Sequence, residues 1–83
     1  MPEALVNIRL DHKRMREIIN EVAKVENVTW ARLVFGPTDG VVYIETERWL
    51  ELETTVFNIS TVDGVLEPND VTDTFDKLST GLI

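Results

Sequence analysis

Eighty-three residues with fifteen Asp and Glu against eight Lys and Arg, a net charge of −7 and no cysteine make one small domain. A chain of this length buries only about 60% of the surface its unfolded form exposes, and with no disulfide and no thiolate-bound metal its stability must come from tight packing or self-association. The charge disfavours nucleic acid, which needs a basic face against its phosphates, so direct DNA binding is not expected.

Met1-Pro2-Glu3 lacks a basic leader region, and Asn7 and Arg9 interrupt the apolar positions from Leu5 to Leu10. Neither a signal peptide nor a membrane span is expected, and a cytoplasmic location fits the absence of cysteine. Ala4–Leu10 alternates, with Ala4, Val6, Ile8 and Leu10 on one face and Leu5, Asn7 and Arg9 on the other, which predicts a half-buried strand. Asp11 is placed to cap a helix whose Met15, Ile18, Ile19, Val22 and Val25 form one apolar stripe. The Lys13-Arg14-Arg16 cluster spreads over its solvent side. Asn27 stops the helix, and Val28–Phe35 resumes alternation with bulk on both faces.

Gly36-Pro37-Thr38-Asp39-Gly40 then reads as a hairpin turn. Pro37 presets φ, Gly36 and Gly40 tolerate positive φ, and the Asp39 carboxylate can bond its own backbone. Val41–Glu45 is β-branched and aromatic and pairs antiparallel with the preceding strand. Thr46 is the next capping candidate, before a short helix with Trp49, Leu50, Leu52, Val56 and Phe57 as its apolar stripe. Asn58 to Asp63 unwinds it, Gly64 turns the chain, and Val65–Phe75 forms a last strand in which Pro68 requires an edge or a bulge. Residues 1–75 make the domain and 76–83 a C-terminal tail.

Two strand-helix-strand units with short links predict an α+β, ferredoxin-like βαββαβ sandwich: a four-stranded antiparallel sheet with two helices on one face. The other sheet face is then bare. Leu5, Trp30 and Tyr43 would expose an apolar patch there, and sheet-to-sheet dimerisation is the simplest way to cover it.

Chemistry of the common catalytic kinds is missing: one His, no Cys, and no zinc, P-loop or dinucleotide signature. No metal and no cofactor is expected. His12 reads as a surface imidazole beside Lys13 and Arg14. Asp70, Asp73 and Asp76 read as a solvated acidic edge, too few oxygens for a hard cation. The turn allows two readings. It is a tight hairpin closed by Asp39, or a loop whose backbone amides approach a small ligand while Asp39 meets an ammonium group.

Ala31-Arg32-Leu33-Val34-Phe35-Gly36-Pro37-Thr38-Asp39-Gly40-Val41-Val42, followed by a short helix and Ile59-Ser60-Thr61-Val62-Asp63-Gly64-Val65, resembles the RAM domain, the C-terminal effector domain of the Lrp/AsnC transcription regulators. That domain has a strand ending in Gly-x-aromatic-Asp and reaches its last strand through an Ile-x-Gly-Val-type segment. The resemblance runs from about Leu5 to Val71. Gly36 and Asp39 match the loop, Thr38 stands in place of the aromatic, and Asp70 stands where the family usually has Thr, with Pro68 close by. The resemblance implies dimers formed through the sheets, rings of dimers, and amino acids or related molecules held near the loop at subunit contacts. The helix-turn-helix of the full regulators is missing here, as in a stand-alone RAM protein.

The expected function is a non-enzymatic module that self-assembles, binds an amino-acid-like effector, and acts on Lrp/AsnC-type regulators by co-assembly. Gly36, Thr38, Asp39, Gly40 and Asp70 are its candidate ligand contacts, and Leu5, Trp30 and Tyr43 its candidate interface. A small dimeric enzyme of the monooxygenase or isomerase type and a ligand-free assembly module are the alternatives. A closed pocket containing His12 or Tyr43 would favour the enzyme, and a pocket at a subunit contact lined by Gly36 and Asp39 the sensor.

Overall fold

The computed structural model describes residues 2–72, with side chains through Leu66. The order is β1 (Glu3–Leu10), α1 (Met15–Ala23), β2 (Val28–Leu33), β3 (Gly40–Glu45), α2 (Trp49–Ser60) and β4 (Val65–Thr72). The strands form one antiparallel sheet in the order β2-β3-β1-β4, the expected ferredoxin-like arrangement. Among the described residues no helix is long and apolar enough to cross a membrane.

The alternation of β1 sets the core. Ala4, Val6, Ile8 and Leu10 are no more than 1% exposed, and with Val42 and Ile44 of β3 they meet Ile18, Ile19 and Val22 of α1. Met15 and Val25 extend the α1 stripe at its ends, as its helical spacing predicts. α1 ends at Ala23 with Lys24 as its C-cap, earlier than the expected stop at Asn27; Asn27 instead takes the left-handed conformation at φ 74° in the link to β2, and its side-chain amide donates to Thr55 Oγ1 at 3.2 Å. Asn tolerates that region better than most residues do.

Both expected helix caps are displaced. α1 begins at Met15 with Arg14 as cap, because the Asp11 carboxylate closes a turn onto the Lys13 N–H (3.0 Å) and the Asp11 carbonyl accepts from Arg14 N–H. α2 begins at Trp49 with Arg48 as cap. Thr46 is buried and donates its hydroxyl to the Arg48 carbonyl (2.9 Å), while Glu51 accepts from the Arg48 N–H (3.1 Å).

The expected α2 stripe is also corrected. Leu52, Thr55 and Ile59 face the core with Val56 beside them, and α2 continues to Ser60 instead of unwinding at Asn58. Trp49, Leu50 and Phe57 point outward, 59%, 71% and 66% exposed. Thr55 can take an inward position because its hydroxyl donates to the Glu51 carbonyl at 2.7 Å, and among the described residues no buried side-chain nitrogen or oxygen goes unpaired.

β4 lies at the sheet edge, where Pro68 costs no ladder bond to a further strand. Its pairing with β1 shifts register at Pro68: Asn7 faces Asp70 while Ile8 faces Pro68. The residues of the expected strand beyond Thr72, Asp73 and Asp76 of the acidic edge, and the tail 76–83 lie outside the described residues.

Candidate functional site

β2 ends at Leu33, two residues earlier than its alternation suggests, and Val34 and Phe35 belong to the loop. Phe35 is fully exposed. The loop is closed at its base, with Val34 N–H donating to the Asp39 carbonyl at 3.0 Å. It is pinned to the sheet where Asp39 N–H donates to the Ile8 carbonyl at 3.1 Å. Gly36 takes φ +144°, open to glycine and rarely to other residues, and a Cβ there would meet nothing.

Gly40 plays another part than expected. It is buried as the first residue of β3, and a Cβ would lie 3.2 Å from both Ile19 Cδ1 and Ile8 Cγ1. Close approach of α1 to the sheet, not a positive φ, is what favours glycine at this position, since a Cβ would make Ile19 and Ile8 give way by a few tenths of an ångström.

Asp39 does not bond its own turn through its carboxylate. The β1–β3 ladder ends where Ile8 faces Gly40, so the Leu10 amide extends past β3, and Asp39 Oδ2 accepts from it at 3.0 Å. Oδ1 lies 3.0 Å from His12 Nε2. The Leu10 amide holds the Asp39 carboxyl below the ordinary carboxylate range; partial burial opposes this and His12 and Arg9 assist it. His12 is a surface imidazole as expected, its side chain 74% exposed, but it is engaged. The pairing spans 27 residues and is created by the tertiary fold, through the sheet register and the link from β1 to α1.

The loop separates two open grooves. The outer one, about 600 Å³, lies between Asn7, Arg9 and Val41 of the sheet and residues Val34–Thr38. The inner one, about 370 Å³, lies between His12 and Met15 on one side and Leu33–Gly36 with Asp39 on the other. The candidate ligand residues therefore divide: Gly36 borders both grooves, Thr38 the outer, Asp39 the inner, and Gly40 neither. Asp70 stands opposite Asn7 in the ladder, next to the outer groove; its side chain lies outside the described residues. Asn7, Arg9, Met15 and His12 join these grooves only through tertiary packing. No group of three or more His, Cys, Asp or Glu among the described residues could hold a metal ion.

The outer sheet face continues from the outer groove. Tyr43 faces Leu5 on one side and Trp30 on the other; the Trp30 and Tyr43 rings stack at 5.6 Å, and the Arg32 guanidinium sits 4.4 Å over Trp30. Partial burial first, and then the nearby Glu3 and Glu45 carboxylates, push that phenol well above its ordinary value.

No family model matches the sequence, and no curated protein matches it significantly. Solved structures do match. TTHA0845 from Thermus thermophilus is 26% identical over 86% of each chain, with a TM-score of 0.73. Hypothetical protein PHS023 from Pyrococcus horikoshii is 19% identical over 87% of this chain and 84% of its own (TM-score 0.72). FFRP-DM1 is 19% identical over 87% of this chain and 93% of its own, also with a TM-score of 0.72. The chain shares with these proteins a ferredoxin-like fold spanning nearly its whole described length.

Proposed function

We propose that this protein is a non-enzymatic module that pairs through its outer sheet face and binds an amino-acid-like effector at the 34–39 loop. The observation that carries the reading is the inner groove, where one carboxylate, Asp39, sits among the apolar walls of Met15, Leu33 and Val34. The ligand ammonium takes Asp39 Oδ1 in place of the exposed His12 ring, while Oδ2 stays on the Leu10 amide. The loop backbone at Gly36, which borders this groove, takes the carboxylate, and the ligand side chain lies on Met15 and Leu33. A second subunit on the outer face closes the outer groove and brings Thr38, and Asp70 of a neighbouring copy, to the other side of the loop.

The fold shared with FFRP-DM1 and the loop resemblance to RAM domains support a role beside Lrp/AsnC-type regulators, exercised by co-assembly. A thermal-shift screen against the free amino acids tests the effector, since a ligand of the folded state raises its stability. At least one amino acid is expected to raise the melting temperature, D39N to abolish that rise, and H12A to strengthen binding by removing the competitor for Oδ1. If no amino acid shifts the transition, or if D39N responds as the unaltered protein does, the loop is not the effector site.

A further inference from the structure

α2 carries a second apolar face that the core does not use. Helical spacing sorts its surface into sectors. Leu52, Thr55 and Ile59 face the core. Glu51, Thr54 and Asn58 lie on the flank toward the α1–β2 link, where with Glu26 and Asn27 they border a groove of about 260 Å³. Leu50 and Phe57 stand on the crest opposite the core, and Trp49 and Glu53 on the flank away from that link, the side of the edge strand β4. Trp49, Leu50 and Phe57 are each more than half exposed, and Glu53 among them forms no salt bridge with the described residues.

The end of β4 brings the following segment to this face. Thr72 pairs with Leu5 and Glu45 with Glu3, so β4 stops at the same end of the sheet at which β3 leads into α2. α2 then runs back beside β4, the strand it chiefly packs on, with Trp49 in its first turn. Residues 73–82 read Asp-Thr-Phe-Asp-Lys-Leu-Ser-Thr-Gly-Leu. Phe75, Leu78 and Leu82 recur at steps of three and four, the spacing of one apolar helical stripe, and Lys77 is the single basic residue among them. At helical rise Phe75 to Leu82 covers about 10 Å and Trp49 to Phe57 about 12 Å, so the two stripes match in length.

We propose that the segment 73–82 turns back at the end of β4 and covers the outer face of α2 in its own chain, with Phe75 and Leu78 against Trp49 and Leu50, Leu82 toward Phe57, and Lys77 beside Glu53. The tether favours this occupant over a free partner. A segment joined to Thr72 by so short a link meets the face at an effective concentration in the millimolar range, so three apolar contacts and one charge pair are enough to hold it. α2 lies across the sheet from Trp30 and Tyr43, and the docked segment leaves both of those rings and the 34–39 loop untouched.

The test uses the full chain labelled with 5-fluorotryptophan, in which the fluorine signal of Trp49 is the one lost in W49F. The change of its shift between light and heavy water reads contact with solvent. In the unaltered protein Trp49 should show a clearly smaller solvent effect than in the chain unfolded by urea. F75D and L78D should each raise that effect toward the unfolded value and lower the melting temperature by about 4 °C or more. S79D, on the polar side of the same segment, should change neither. Circular dichroism checks that the variants fold, and should one fail, the comparison of unaltered with unfolded protein decides alone. Trp49 as solvated in the folded unaltered protein as in urea, or unmoved by L78D, overturns the proposal. Protection of Trp49 that vanishes on dilution overturns it as well, because a second copy then covers the face.

Discussion

Removing the Asp39 carboxylate tests whether this residue is a structural brace, a ligand contact, or both. In D39A the Leu10 amide loses a charge-assisted bond of 3.0 Å and is left unpaired in a part-buried position. Such a bond contributes about 1.5–3 kcal/mol, whereas the exposed His12 contact adds well under about 1 kcal/mol. The expected cost is therefore about 2 kcal/mol out of roughly 5–10 kcal/mol for a domain of this size. With a urea slope of about 1 kcal/mol per molar, the midpoint should fall by about 2 M. D39N keeps an acceptor for the Leu10 amide and should lose about half as much. The folded-state pKa of Asp39 is lowered. Its contribution is thus fully present above the unfolded value of about 3.9 and is lost as pH falls through the folded one. The gap between unaltered and D39A proteins should close below about pH 4. Urea titrations at fixed protein concentration, repeated across pH, measure all of this. A D39A midpoint within about 0.5 M of the unaltered protein would refute the brace.

Gly64 sits at φ +98° with its missing Cβ directed into the Ile18 side chain, so G64A should lower the melting temperature more than G36A, by the overpacking cost of about 1–3 kcal/mol. Equal losses would mean that α1 yields freely at that contact. Tyr43 should remain protonated well above its unfolded value of about 10 in a spectrophotometric titration. Its contribution, present below that value, should disappear as alkali carries the pH through the raised folded one; a normal phenolate titration would show Tyr43 to be solvated. Duplex DNA should give no salt-sensitive gel shift with the isolated chain at physiological salt, given its net charge of −7.

Periodicity is enough to reveal the architecture. The alternation of Ala4, Val6, Ile8 and Leu10 and the stripe from Met15 to Val25 each point one way, and every residue in them packs as its spacing requires. Pro68 announces an edge strand because a proline cannot feed a ladder on both sides. α2 misleads for a physical reason. It carries large apolar residues on opposite faces, and the inward face includes a threonine, so a stripe drawn through the bulkiest residues selects Trp49, Leu50 and Phe57, which face away from the core. The helix starts escape sequence reasoning because Asp11 and Thr46 commit their side chains to turns just before the helices.

The loop shows the division most clearly. Its composition determines that the chain reverses between β2 and β3, that Gly36 can take an unusual φ, and that one carboxylate stands in the turn, all local properties of the backbone and side chains. The tertiary structure decides which groups meet that carboxylate. The end of β1 runs past β3 and presents the Leu10 amide, and the link to α1 swings His12 back across 27 residues to the other oxygen. It also decides that Gly40 is a packing glycine, since only the height of α1 over the sheet brings Ile19 onto it. Contacts between residues far apart in sequence follow from strand order and register, and no local pattern around Asp39 or Gly40 encodes the partner on another element.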